Sequence, residues 1–104
     1  MQKCGVDILI NAPQKNWSSS PCCGLVILSS EARKRINDTR STSFAEDLKK
    51  WLQIMETYEQ GGHAYHATMP TDALRTLREV MRETETYGFA KVKDEQFQLG
   101  NAVR

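Results

Sequence analysis

The sequence has no long hydrophobic run and no excess of either charge. Its longest apolar stretches, residues 6–10 and 25–28, are far too short to span a lipid bilayer. Lys and Arg number 14 and Asp and Glu number 13, which leaves a formal net charge of +1. This balance gives no electrostatic basis for binding a nucleic acid or an anionic membrane, so we expect neither as a partner.

Cysteine is also scarce. There are three cysteines, an odd number, and two of them, Cys22 and Cys23, are adjacent. This arrangement is not a disulfide framework and fits a reducing compartment better. A basic start followed by an apolar segment, the pattern of a secretory signal, is missing as well. We therefore expect a soluble cytoplasmic protein, and a chain of 104 residues with 39% hydrophobic residues has room for one small core.

Two segments have the pattern of β-strands. Residues 6–10 form a short β-branched run, which Pro13 ends because proline lacks a backbone donor. The polar segments 11–15 and 16–21 are expected to be loops. The second strand, residues 24–28, is a continuous apolar run, which is typical of a sheet that is covered on both faces.

Helical patterns follow. Ser29 or Ser30 is a good cap for a short helix. Ser43 and Glu46 have the spacing of a capping box, which predicts that the next helix begins there. The glycines at 61–62 are expected to end it. Its apolar face comprises Phe44, Leu48, Trp51, Leu52, Met55 and Tyr58.

The last two helices are predicted on either side of Gly88. The first starts near Pro70, with Asp72 in its first turn, and the second covers residues 89–103. The chain is thus predicted to be α/β, with two short strands and three to four helices. Because two strands cover little apolar surface and the helical pattern runs on to Arg104, we expect a piece of a larger fold or a chain that needs a partner.

Lys15 is the sharpest candidate for chemistry. It follows a strand of the buried type, and reactive groups in α/β sheets collect where strands end. A lysine that is partly desolvated there can lose its proton near neutrality and attack a carbonyl group. The alternative is an ordinary surface lysine.

A second candidate is the connector before Pro70, which carries the hydroxyls of Tyr65 and Thr68. Hydroxyls beside a helix N-terminus can form an anion site suited to a phosphate. The alternative is a packed connector in which hydroxyls only cap the helix.

A zinc site is the weakest candidate. It would use His63 and His66 with Cys22 or Cys23, but adjacent cysteines do not have the usual ligand spacing and cannot easily both reach one tetrahedral metal. Buried thiols beside the second strand are the preferred interpretation, and we expect no resident metal.

Two motifs resemble the class V aminotransferases, and in particular their alanine–glyoxylate and serine–pyruvate branch. The first is Asp-Ile-Leu-Ile-Asn-Ala-Pro-Gln-Lys at residues 7–15, and the second is Tyr-His-Ala-Thr-Met-Pro at residues 65–70. In that family a strand ends in a Gln-Lys pair, and the lysine forms a Schiff base with pyridoxal 5'-phosphate. The family's Tyr-His-x-Thr-x-Pro segment reaches across a dimer interface to the cofactor phosphate of the other subunit.

The resemblance implies a site and a reaction. Lys15 would be the catalytic residue and would hold pyridoxal 5'-phosphate, with Gln14 beside the phosphate. Tyr65 and Thr68 would bind the cofactor phosphate of the partner subunit, so a homodimer is implied. The reaction would transfer an amino group from a small amino acid of the alanine or serine type to a 2-oxo acid of the glyoxylate or pyruvate type.

The resemblance also implies a fold, that of the type I pyridoxal-phosphate-dependent transferases, of which aspartate aminotransferase is typical. Residues 1–87 would be the C-terminal part of the large cofactor-binding domain, and residues 88–104 the start of the small domain. One departure is Cys22, which stands where many members have glycine after the loop proline, here Pro21.

Several parts of the family's site have no counterpart in these residues. The phosphate-binding turn, the aromatic residue that stacks on the ring and the Asp that pairs with the pyridine nitrogen would lie before Met1. The Arg that binds the substrate carboxylate would lie after Arg104. We therefore expect the 104-residue chain alone to have little or no activity. The alternative function is that of a non-catalytic remnant that acts as a small interaction or dimerisation module.

Overall fold

The computed structural model describes residues 2–104. Two compact units divide the chain, the first formed by residues up to 10 together with 25–69, and the second by residues 11–24 together with 70–104. In order, the elements are a 3₁₀ turn (Gln2–Cys4), β1 (Ile8–Asn11), α1 (Pro13–Asn16), β2 (Leu25–Leu28), α2 (Ser30–Ile36), α3 (Leu48–Glu59), α4 (Thr71–Tyr87) and α5 (Phe89–Val103).

The α/β composition and the two short strands agree with the prediction. The helix count is higher than predicted because residues 13–16, expected to be loop, form α1. The expected boundary between two domains of a larger enzyme, at residues 87 and 88, coincides with the junction of α4 and α5 and stays a prediction. None of the helices within residues 2–104 combines the length and the hydrophobicity that crossing a bilayer requires.

In the first unit, Ser29 holds the ends of the two strands together. Its backbone N–H donates to the carbonyl oxygen of Asp7 at 2.8 Å, and its hydroxyl donates to Oδ1 of Asp7 at 2.7 Å. The start of β1 therefore lies beside the end of β2, as in an antiparallel pair. The Ser29 hydroxyl also accepts from the N–H of Ala32 at 3.1 Å, which confirms the predicted cap of α2.

The sheet is not covered as the sequence predicted. In β2, Ile27 is 47% exposed, so the expectation that the second strand is buried on both faces is wrong for this chain. In β1, Ile8 is 48% exposed and Ile10 74%. The physical reason is a shortage of covering elements, because α2 packs on β2 while apolar side chains of both strands remain in contact with solvent.

A small core lies beneath α2 and α3. Ala32 and Ile36 on α2 and Ile54 on α3 are buried.

The start of α3 differs from the prediction. The Ser43 hydroxyl does accept from the N–H of Glu46 at 3.1 Å, but this bond closes a separate turn.

The carboxylate of Asp47 makes the actual cap of α3. It accepts from the N–H of Lys50 at 3.0 Å, and the helix starts at Leu48. A second capping side chain, four residues after Ser43, therefore decided where the helix begins. Phe44 consequently lies outside the helical face to which it was assigned.

In the second unit, α4 and α5 pack against each other and are joined at Gly88. Gly88 has φ +103°, a conformation that favours glycine, and its N–H donates to the Thr84 carbonyl at 3.0 Å. Across the junction, the Tyr87 hydroxyl donates to Oε1 of Glu95 at 2.7 Å. Leu77, 4% exposed, is the buried residue of α4. The predicted end of α4 and the extent of α5 are confirmed.

The solvent-accessible surface area of the chain is larger than that of a typical folded protein of the same mass. Its accessible area is 8727 Å², whereas a folded monomer of 11.8 kDa exposes about 5900 Å². Two separate folded bodies of half that mass would together expose about 7100 Å². The chain therefore exposes more surface than either reference, and the expectation that it needs a partner or a larger fold stays a prediction.

Candidate functional site

Lys15 lies on a single helical turn rather than in a loop. Pro13 occupies the first position of α1, where its fixed φ suits a helix and its missing N–H is no loss. The Lys15 N–H donates to the Ala12 carbonyl and the Trp17 N–H to the Pro13 carbonyl, each at 3.0 Å. The predicted loop is therefore wrong here, because a proline after an extended residue starts a turn as readily as it ends a strand.

One side of the α1 turn is buried in the protein and the other side faces solvent. Pro13 is fully buried, whereas Gln14 and Lys15 are exposed. None of the ion pairs among residues 2–104 involves Lys15. The partial burial that we expected for this lysine is thus absent in this chain, since nothing packs over α1 from that side. Its amine is directly accessible to a ligand.

The two hydroxyls predicted to act together do lie together. The Tyr65 hydroxyl and Oγ1 of Thr68 are 3.0 Å apart, and Tyr65 is 71% exposed. One of the two hydroxyl hydrogens is used within the pair, which leaves the other free to donate. The pair can therefore offer a hydrogen bond to an anionic oxygen that approaches from solvent or from another subunit.

His66 fixes the segment between these hydroxyls. Its Nε2 is 2.9 Å from the carbonyl oxygen of Phe44. Its ring lies 4.2 Å from the Phe44 ring and 5.0 Å, edge to face, from that of Trp51. The sequence offered His66 as a metal ligand and as a member of the motif at residues 65–70, but not this positioning role, because residues separated by 22 positions give no local signal.

The metal interpretation gains no support from the histidines. His63 Nδ1 lies 3.1 Å from the Tyr58 hydroxyl, so both histidines already have partners within the protein. Within the part of the chain that the structure describes, no group of three or more His, Cys, Asp or Glu side chains could hold a metal ion.

The adjacent thiols are half-buried and face each other. Sγ of Cys22 and Sγ of Cys23 are 3.7 Å apart, and both cysteines are free. Burial raises the pKa of the Cys23 thiol from 9.0 to about 11, and the hydrogen bond and the charge of Cys22 contribute in the same direction. A raised pKa of this kind keeps Cys23 in the neutral thiol form at ordinary pH.

The second unit also contains an open groove that the sequence analysis did not predict. Its volume is about 320 Å³. At one end, the ring of Trp17 meets that of Phe89 edge to face, with centroids 6.5 Å apart. Lys15 is not among the lining residues, which are Trp17, Arg78, Met81, Arg82, Glu85 and Phe89. The helical spacing of the α4 residues shows that they share a face, but it does not show that Trp17 approaches it.

Comparison with known proteins shows a similarity to a yeast enzyme. The chain is 30% identical over 91 residues to alanine–glyoxylate aminotransferase 1 of Saccharomyces cerevisiae. The match covers 84% of this chain and 24% of the yeast protein, so the chain spans about a quarter of the length of the curated relative that it matches. No model of a protein family matches the chain. The similarity indicates a distant relationship to part of an aminotransferase.

Proposed function

We propose that the chain is the lysine-bearing segment of a pyridoxal 5'-phosphate-dependent aminotransferase of class V, with the type I transferase fold. The similarity to the yeast aminotransferase supports this proposal, as does the occurrence of both family motifs in order, at residues 7–15 and 65–70. The reaction we infer moves an amino group from a small amino acid of the alanine or serine type to a 2-oxo acid of the glyoxylate or pyruvate type.

The residues present are chemically suited to this cofactor. An aldehyde requires an accessible amine, which the exposed Lys15 provides, although the partial burial expected for a reactive lysine is absent in this chain. A phosphate requires hydrogen-bond donors, which the exposed pair Tyr65 and Thr68 offers. The amide of Gln14, next to the lysine and also exposed, is a further donor.

Each residue has a distinct role in the proposed mechanism. Pyridoxal phosphate, when bound, supplies the electron sink for the reaction. The Nζ atom of Lys15 would hold the cofactor and would carry a proton as general base. Tyr65 and Thr68 would orient the phosphate of the cofactor in a partner subunit, which implies a homodimer. His66, held against Phe44, positions the segment that carries both hydroxyls.

The single observation that carries the proposal is the 30% identity over 91 residues to the yeast aminotransferase, and the 3.0 Å contact of Tyr65 with Thr68 is compatible with it. The test is titration with pyridoxal phosphate, followed by the absorbance of the bound cofactor. Lys15→Arg is expected to abolish the bound form, whereas Lys93→Arg, on the exposed surface of α5, leaves it unchanged. Equal loss in both variants would contradict the assignment of Lys15.

A second candidate function is that of a non-catalytic interaction module. The exposed apolar residues of β1 and β2 favour it, since Ile10 alone is 74% exposed and unpaired strand edges readily add further strands. Sedimentation at increasing concentration tests it. Self-association that disappears in Ile10→Lys but persists in Val103→Lys supports the module, and a monomer at all concentrations contradicts it. Val103, 79% exposed on α5, is the matched control.

A further inference from the structure

Cys22 and Cys23 have an unusual mutual arrangement for neighbours in a loop. In an extended segment, successive side chains point to opposite sides. Residues 22–24 belong to no helix or strand, yet the two Sγ atoms lie 3.7 Å apart on the same side of the backbone. The loop therefore brings two sulfur atoms together, and both are partly accessible to solvent.

This separation suits a single bridging atom better than a disulfide. The Cα atoms of adjacent residues are about 3.8 Å apart, below the range of about 4.4–6.8 Å found in disulfides, so an S–S bond here would be strained. A single atom bonded to both sulfurs at about 2.3 Å, the length of a zinc–thiolate bond, can instead span this separation.

We propose that Cys22 and Cys23 form a bidentate dithiol site for trivalent arsenic compounds. In such a compound, R–As=O, the arsenic already carries the substituent R. Two protein sulfurs can therefore supply the other two bonds of a three-coordinate arsenic. Zinc would require four ligands, and the described residues hold no cluster of even three metal-ligating side chains.

The reaction balances without an oxidant. Two As–S bonds form, the As=O bond breaks, and the two thiol protons leave on the oxygen as water, while arsenic stays trivalent. The overall balance starts from two neutral thiols and releases no free proton, so the raised pKa of Cys23 does not oppose it. A divalent cation must instead displace the protons from both thiols, which this environment disfavours.

Cys4 provides a matched internal control. It is a free, exposed cysteine without an adjacent thiol in the sequence, so it can form one As–S bond but no chelate. Linking two binding groups typically strengthens binding by about 100- to 10,000-fold. The arsenical should therefore bind the Cys22–Cys23 pair more tightly than it binds Cys4. A reagent that forms a single bond to sulfur is not expected to show this preference.

The experiment titrates the fully reduced 104-residue chain with phenylarsine oxide, under anaerobic conditions. Intact mass spectrometry counts the adducts, and a thiol reagent counts the remaining thiols. We expect one adduct per chain, loss of two of the three thiols, and reversal by a dithiol but not by a monothiol. Cys22→Ser or Cys23→Ser should weaken binding about 100-fold or more, and Cys4→Ser should not.

Two results would overturn the proposal. One is an adduct that forms equally well after either Cys22→Ser or Cys4→Ser, which would mean that single thiols bind independently. The other is a wild-type chain that keeps all three thiols at stoichiometric reagent. Circular dichroism of each variant shows whether it is folded, and the comparison of monothiol with dithiol reversal, made on wild type alone, tests the chelate without any substitution.

Discussion

Tyr65 and Thr68 hold their hydroxyl oxygens 3.0 Å apart, on a segment that His66 ties to the carbonyl of Phe44. The aromatic rings of Phe44 and His66, 4.2 Å apart, restrict the movement of this segment. The two hydroxyls are thus presented together rather than separately, as a phosphate requires of its donors.

The hydroxyl pair predicts a phosphate-specific effect of substitution. In the proposed dimer, the double variant Tyr65→Phe with Thr68→Val removes the donor that the pair offers to a charged group, which is worth about 1.5–3 kcal/mol of binding free energy. The measurement is the dissociation constant of pyridoxal phosphate, compared with that of pyridoxal, which has no phosphate. The double variant should weaken binding of pyridoxal phosphate and leave binding of pyridoxal unchanged. Tyr87→Phe, which removes a hydroxyl bound to Glu95, is the control.

The 104-residue chain alone is expected to show little or no transaminase activity. It spans about a quarter of the yeast aminotransferase, and the resemblance assigns the ring-nitrogen acid and the substrate arginine to positions outside residues 1–104. Each missing charge-assisted contact is worth about 1.5–3 kcal/mol. The assay is the conversion of alanine and glyoxylate to pyruvate and glycine. Turnover by the purified chain would refute this expectation.

Ser29→Ala should destabilise the first unit. The Ser29 hydroxyl both caps α2 and binds the side chain of Asp7, and loss of a serine cap costs about 0.5–2 kcal/mol of unfolding free energy. The neighbouring Ser30→Ala, at the first position of the same helix, is the control and should have little effect. Urea denaturation followed by circular dichroism measures both. Equal midpoints for the two variants would contradict the role of Ser29.

Cys23 should make stability fall at alkaline pH. Its pKa is raised from 9.0 to about 11 in the folded chain, so between these values the unfolded chain loses the proton first and the folded chain keeps it. The contribution of Cys23 to stability is therefore complete below pH 9 and is lost as pH rises through about 11. The measurement is the unfolding free energy of wild type minus that of Cys23→Ser across this range. A difference independent of pH would show that the raised pKa is not real.

Local signals in the sequence predicted the ends of several elements correctly. Ser29 caps α2, Gly88 ends α4 and α5 begins at Phe89, because capping chemistry depends on a few neighbouring residues. The start of α3 was wrong because Ser43 and Asp47 are both good caps, and propensity alone does not choose between them.

The environment of the candidate site could not be predicted from local patterns. The 3.0 Å contact of Tyr65 with Thr68 lies within four residues, but the motif predicted a shared ligand for these hydroxyls and not this contact. The contacts of His66 with Phe44 and of Trp17 with Phe89 join distant parts of the sequence. The exposure of Lys15 depends on which surfaces surround α1, and the residue's own neighbours in sequence do not determine it.

The most direct test of the central claim is to trap the cofactor on its lysine. The chain is incubated with pyridoxal phosphate, reduced with borohydride, digested and mapped by mass spectrometry. Our account predicts that the label is concentrated on Lys15. When a tenfold excess of an unrelated primary amine competes for the cofactor, labelling of the other lysines should fall before labelling of Lys15. A label that is absent from Lys15, or spread evenly over the exposed lysines such as Lys34 and Lys93, would contradict it.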